Sequence, residues 1–193
     1  MEPPRAKGIS LWLMPEGETQ ARLAALVARL AASLGTEPFA PHVTLLAGLL
    51  ELEARALERA EQLARTLGPL RLRFEGLEGQ DEPFRCLFAR AETTAPLRHA
   101  HAVAARTFLR EPDPGFLPHL SLVYGTLPPE RKRTLVSELA AEAAGEFEAH
   151  RLHVWWTEGP VANWRELGSF PLDPDPPQGR PMTISPTSGG SDR

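Results

Sequence analysis

A chain of 193 residues, 42% of them hydrophobic, is long enough to bury a substantial core and fits one domain, or one domain with two similar lobes. A formal net charge of -4 argues against a broad basic surface for duplex nucleic acid, because such binding draws on phosphate neutralisation. A small phosphorylated ligand in a locally electropositive pocket is still compatible with that charge. The single cysteine, Cys86, cannot form an intrachain disulfide, and Met1 to Lys7 leads only into a short apolar run ended by Pro15, neither a secretion signal nor a membrane span. The expectation is a cytoplasmic monomer without membrane attachment.

In chain order, Gly8 to Met14 alternates as a strand, with Ile9, Leu11 and Leu13 on one face and Ser10, Trp12 and Met14 on the other. Leu23, Leu26, Val27, Leu30 and Leu34 recur at helical spacing, and Gly35 supplies a C-terminal cap. Phe39 to Leu45 reads as a strand, residues 51–67 as a helix ended by Gly68-Pro69, and Leu70 to Phe74 as a half-exposed strand. Phe84 to Ala89 is expected as another strand after the turn at Gly79 to Pro83. Thr94 caps a third helix with Pro96 in its first turn, Phe116 to Leu122 forms a strand, and a helix runs from Pro128 to about Ala144. His150 to Thr157 and Trp164 to Phe170 close the pattern. Each half then reads as strand, helix, strand, helix, strand, within a single bilobal domain over 1–172. The Pro/Gly/Ser-rich residues beyond it, 173–193, have almost nothing to bury and read as a disordered tail.

One pattern occurs twice: Phe39-Ala40-Pro41-His42-Val43-Thr44-Leu45 and Phe116-Leu117-Pro118-His119-Leu120-Ser121-Leu122. A His followed two residues later by Thr or Ser arises by chance about 0.5 times in a chain this long, so one copy carries little weight. Two copies that also share Phe-x-Pro before the His are another matter. On a strand, residues two apart share a face, so His42 with Thr44 and His119 with Ser121 each present an imidazole beside a hydroxyl. If the halves pack symmetrically, both pairs face one cleft.

Imidazole titrates near neutrality, so one His can act as a base while the other acts as an acid. That pair suffices to open a cyclic phosphodiester: the base takes a proton from attacking water, the acid protonates the departing ribose oxygen, and hydroxyls stabilise the non-bridging oxygens. The scheme requires no metal and no cofactor. A lone His in an apolar strand is more often a packed residue, and the doubling outweighs that reading. Zinc held by the two His lacks a Cys cluster, a His-Glu helix motif or a nearby carboxylate to complete its ligands. His99, His101, His150 and His153 are expected in solvated or packed roles.

These residues resemble the two-histidine (2H) phosphoesterases, and more specifically the cyclic phosphodiesterase family known from plants and yeast. The resemblance runs through Ile9 to Pro15, Pro41 to Leu45, Phe84 to Phe88, Pro118 to Tyr124 and Trp164 to Leu167, in family order. It implies a bilobal α+β fold with an antiparallel sheet in each lobe and the site in the groove between them. It also implies hydrolysis of ADP-ribose 1″,2″-cyclic phosphate to ADP-ribose 1″-phosphate and of nucleoside 2′,3′-cyclic phosphates to 2′-phosphates. His42, Thr44, His119 and Ser121 become the catalytic set, with His119 activating water and His42 serving the leaving oxygen. Trp12 becomes an aromatic lining the groove, and Tyr124 a ligand-side tyrosine, although strict alternation puts it on the face opposite His119. The partner implied is a small cyclic phosphate nucleotide rather than a long nucleic acid. An RNA 2′,3′-cyclic phosphodiesterase of the 2′,5′ RNA ligase-like branch shares both motifs, and a nucleotide-binding protein without turnover is the non-enzymatic alternative.

Overall fold

Strands and helices follow apolar periodicity and chain breakers, although the two motif strands start at Val43 and His119, later than the expected Phe39 and Phe116, and an additional strand covers Gly145–Ala149. The computed structural model describes residues 5–173, so the expected tail lies, except for Asp173, outside the described residues. The strands are β1 (Arg5–Ala6), β2 (Ile9–Leu13), β3 (Val43–Leu49), β4 (Leu70–Glu78), β5 (Leu87–Ala91), β6 (His119–Val123), β7 (Gly145–Ala149), β8 (Arg151–Trp156), β9 (Gly159–Pro160) and β10 (Arg165–Pro171). The helices are α1 (Gly17–Leu34), α2 (Glu53–Ala64), α3 (Ala95–Thr107) and α4 (Pro129–Ala143). The stripe of α1 is buried through Leu23, Leu26, Val27 and Leu30, and the Thr94 hydroxyl accepts the Leu97 N–H at the start of α3 (3.3 Å), as capping chemistry requires. None of the helices among the described residues is long and apolar enough to cross a membrane.

Eight strands form one antiparallel sheet in the order β10-β8-β2-β3-β6-β5-β4-β7, and β1 pairs with β9 as a separate ribbon. The expected two lobes are present as two four-stranded halves, fused edge to edge where β3 meets β6 through the pair Val43 and Leu120. These spatial halves are not the sequence halves. The strand after α2, β4, crosses to pair with β5 and β7 in the second half, while the late strands β8 and β10 return to extend β2 in the first. The helices exchange in the same way: α1 packs on β6 and α3 on β3.

Val43, Leu45, Leu120 and Leu122 are at most 1% exposed, which fixes the central register. A slip of one residue would turn all four out of the core, a loss of about 6–12 kcal/mol at 1.5–3 kcal/mol each, as large as the whole stability of a typical domain. The imidazoles and hydroxyls of both motifs are thereby held on the other face.

The segment expected as a strand from Phe84 behaves differently. Pro83–Arg85 is a single 3₁₀ turn, and the strand begins only at Leu87. Pro83 fixes the backbone for a turn and has no N–H to give a ladder, and the turn is closed by Arg85 N–H to Glu82 O (2.9 Å) and Gln80 N–H to Arg85 O (3.0 Å).

Candidate active site

The two motifs use one local device. In each, the His Nδ1–H donates to the carbonyl two residues earlier: His42 to Ala40 (2.6 Å) and His119 to Leu117 (2.8 Å). A carbonyl only accepts, so Nδ1 carries the proton and Nε2 keeps its lone pair when the ring is neutral. The prolines between, Pro41 and Pro118, bias Ala40 and Leu117 toward extended backbone. This gives the Phe-x-Pro-His spelling a physical purpose. Continuing the antiparallel register from Val43 and Leu120 sets His42 beside Ser121 and Thr44 beside His119 on the sheet face away from the helices.

That face bounds a cavity of about 520 Å³ lined by His42, Thr44, His119, Tyr124, Trp12 and Trp164 among others. Three cations, Lys7, Arg85 and Arg110, stand on its walls against two carboxylates, Glu82 and Asp113. Arg85 is paired with Glu82, so the cavity wall carries one positive charge in excess on an acidic protein.

The environments of the two imidazoles differ. His42 is 4% exposed and lies flat against Trp12, centroids 3.5 Å apart at 6°. Burial lowers its pKa to about 3, against the raising effect of the Ala40 carbonyl, and His119 lowers it further. His119 is half-buried against the edge of Phe88. Burial lowers its pKa too, offset in part by the Leu117 carbonyl, with the Arg85 cation adding to the fall. Both rings are neutral at pH 7 without ligand. An anionic phosphate between them raises both pKa values, and His119, with the smaller fall, takes the proton first.

Among the expected site residues, Thr44 is half-buried on the cavity wall, and its hydroxyl makes no hydrogen bond among the described residues. Ser121 is 4% exposed and does not line the cavity, because its hydroxyl donates to the Phe84 carbonyl (2.8 Å) across the 3₁₀ turn. The expected oxyanion donor is thus committed to the backbone. Tyr124 reaches the site despite strand alternation. The strand β6 ends at Val123, and Gly125 adopts φ 129°, a value that favours glycine, with its N–H bound to Pro83 O (2.8 Å). The phenol then points its O–H at His42 Nε2 from 3.4 Å, a long contact to the ring's one remaining lone pair. Phe39 of the first motif stacks on Tyr124 (3.9 Å, 18°), and burial raises the phenol pKa.

Trp12 lines the cavity as expected, yet it is only 2% exposed and stands between His42 on the β3 side and Trp155 (4.4 Å, 21°) on the β8 side. With neighbours on both flanks, it desolvates His42 rather than offering a free stacking face. The partly exposed Trp164, edge-on to Tyr124 at 5.8 Å, is the more accessible aromatic. Of the other histidines, His101 is packed: its Nδ1–H donates to Leu45 O (2.8 Å) and its Nε2 accepts from Asp113 N–H (3.1 Å), with Phe116 of the second motif stacked on it (4.0 Å). His153 binds Glu166 (2.7 Å), and His99 and His150 are exposed. Among the described residues, no group of three or more His, Cys, Asp or Glu could hold a metal ion.

Sequence reasoning missed Arg85, Lys7 and Arg110, whose place on the wall depends on long-range packing. It also missed Ser10 and Thr157, although the alternation that puts Ser10 on the face of Trp12 was a usable signal.

Comparison with solved structures finds this fold in TT0787 of Thermus thermophilus, with 23% identity over 86% of this chain and 97% of that one, and a TM-score of 0.59. It also finds it in E. coli LigT in apo form (14% identity, 88% of this chain and 99% of that chain, TM-score 0.55) and in LigT complexed with 3′-AMP (16%, 89% and 96%, 0.50). No curated protein sequence matches the chain. The model of the 2′-5′ RNA ligase superfamily, the two-histidine phosphoesterases, matches residues 15–160, and this chain belongs to that superfamily.

Proposed function

We propose that the protein is a metal-independent cyclic phosphodiesterase that opens nucleoside 2′,3′-cyclic phosphates to 2′-phosphates and ADP-ribose 1″,2″-cyclic phosphate to ADP-ribose 1″-phosphate, acting as a monomer on small nucleotides. The observation that carries this reading is the convergence of two imidazoles, each with its tautomer fixed by a backbone carbonyl, on one electropositive cavity beside the unengaged Thr44 hydroxyl. A nucleotide bound to LigT, which shares the fold, is consistent with it.

In the reaction, one neutral Nε2 removes a proton from water as its oxygen attacks phosphorus. The bond from phosphorus to the second ribose oxygen breaks, and the other imidazole, as imidazolium, protonates that oxygen. Thr44 donates to a non-bridging oxygen as charge accumulates. The smaller pKa fall at His119 supports His119 as the acid and the deeply desolvated His42 as the base, the reverse of the assignment implied by the family resemblance. The direct test is incubation with both cyclic substrates in EDTA, with product identification; no ring opening of either sinks the proposal. The superfamily match favours a second substrate, the 2′,3′-cyclic phosphate at an RNA end, and the net charge of -4 favours short RNA over long. Competition between a mononucleotide and an oligonucleotide separates the two.

A further inference from the structure

The cavity continues past the histidines along β2. Ser10 stands two residues from Trp12 on the same strand face, about 7 Å along the strand. It pairs across to β8, next to Thr157, which follows the end of that strand. Both residues line the cavity wall, and they are 4% and 1% exposed.

The Thr157 hydroxyl donates to the Gly8 carbonyl (3.0 Å), and a carbonyl cannot donate back. With the Thr157 proton on that carbonyl, the 2.9 Å contact between Ser10 Oγ and Thr157 Oγ1, in which either hydroxyl can donate, runs from Ser10 to Thr157. The carbonyl itself is held in place. Gly8 adopts φ +67°, a Cβ on it would meet Leu49 O at 2.2 Å, and its N–H is bound by Glu158 (2.7 Å). Thr157 N–H also donates to Gly8 O (2.8 Å). Ser10 therefore turns only lone pairs toward the cavity. It is a buried acceptor with no proton to give, and a ligand acceptor placed there would meet another acceptor, while a ligand donor would be satisfied.

We propose that Ser10 is a specificity-determining residue that accepts a hydrogen bond from the 6-amino group of adenine or the 4-amino group of cytosine, so that these nucleoside cyclic phosphates are preferred over those with a carbonyl at that position. Thr157 is the positioning residue that sets its polarity. The proposal rests on the cyclic phosphodiesterase reading, with the phosphate between His42 and His119 and the base directed along β2 toward Ser10 in the same cavity.

The test compares adenosine 2′,3′-cyclic phosphate with the same compound lacking the 6-amino group, purine riboside 2′,3′-cyclic phosphate, and with 5′-deoxyadenosine 2′,3′-cyclic phosphate. The expected kcat/KM ratio of adenosine to purine riboside is about 10- to 100-fold, the cost of one buried unsatisfied acceptor. Ser10→Ala should narrow it to within about threefold. Thr157→Val should also narrow it, because the Ser10 proton is then free to turn toward the ligand, and Thr157→Ser should restore it. A melting temperature for each variant shows that the fold persists, and the Thr157→Ser rescue keeps the test decisive if Ser10→Ala does not fold. Equal rates for adenosine and purine riboside in the wild type overturn the proposal, as does a loss confined to the 5′-deoxy compound or an unchanged ratio in both Ser10→Ala and Thr157→Val. If no cyclic phosphate is opened, the parent reading fails by itself. Calorimetric titration with adenosine 2′-phosphate and purine riboside 2′-phosphate then decides on Ser10, and equal or absent binding of the two overturns its role.

Discussion

The two copies of the motif share a spelling and a backbone device, and they expose opposite halves of it. In the first copy the imidazole of His42 is buried against Trp12, while the hydroxyl of Thr44 faces the cavity unengaged. In the second the imidazole of His119 is the more accessible, and the hydroxyl of Ser121 is turned into the Phe84 carbonyl. The antiparallel register brings the two accessible groups, Thr44 and His119, side by side. Duplication supplies two chemically equal histidines, and their surroundings make them unequal. Two titratable groups driven apart by environment are what acid and base roles require.

Removing either imidazole breaks the comparison most severely. His42→Ala and His119→Ala should each lower kcat by about 10²–10⁴, measured with a 2′,3′-cyclic nucleotide. A substrate with sulfur at the leaving position sharpens it further, because a thiolate departs without a proton. His119→Ala should recover on that substrate and His42→Ala should not; the reverse recovery would overturn the assignment of acid and base.

The next effect is on stability. His42 has a folded pKa of about 3, below its unfolded value, so the unfolded chain binds the proton more readily. Its contribution is fully present above about pH 6.5 and is lost as the pH falls from there toward 3, by up to roughly 5 kcal/mol at about 1.4 kcal/mol per pH unit. Urea denaturation of wild type and His42→Gln across that range checks it: the wild type should lose stability more steeply with acid, and parallel curves would refute the linkage.

The hydroxyls should separate in the same crossed fashion. Thr44→Val should cost about 10- to 100-fold in kcat with little change in stability, as expected for one donor to the developing oxyanion. Ser121→Ala should cost about 1 kcal/mol of stability and only a few-fold in rate, since its bond is to backbone. Steady-state kinetics paired with denaturation of both variants reads this out, and equal kinetic losses would dissolve the asymmetry. Smallest of all, Tyr124→Phe should change kcat by about tenfold or less and shift the limb of the pH-rate profile that reports His42, because only a long contact is removed.

The helices, the core face of each motif strand and the pair of histidines were legible from the chain, because periodicity of 3.6 or 2 and a doubled Phe-x-Pro-His are local signals. The exchange of β4 and β8 between halves was not, since strand pairing over long separations leaves no trace in a run of residues. Tyr124 was expected on the ligand side against strict alternation, which stopped applying where β6 ended before Gly125. Ser121 read as a donor because its type and spacing matched Thr44. The acceptor that captured it, Phe84 O, arises from a turn that Pro83 imposes in a segment that looked like a strand. Trp12 lines the groove, and its flanking neighbours His42 and Trp155, which come from different chain segments, could not be read from a local run of residues.

The carbonyls of Ala40 and Leu117 orient the imidazoles, where many catalytic histidines rely on a carboxylate side chain for that task. The orienting atom therefore survives any replacement of residue 40 or 117 that keeps the backbone path, and the two positions can drift in evolution without cost to the chemistry. Sensitivity passes instead to Pro41 and Pro118, which never touch the phosphate. A family alignment should find those prolines more constant than the residues whose carbonyls do the work.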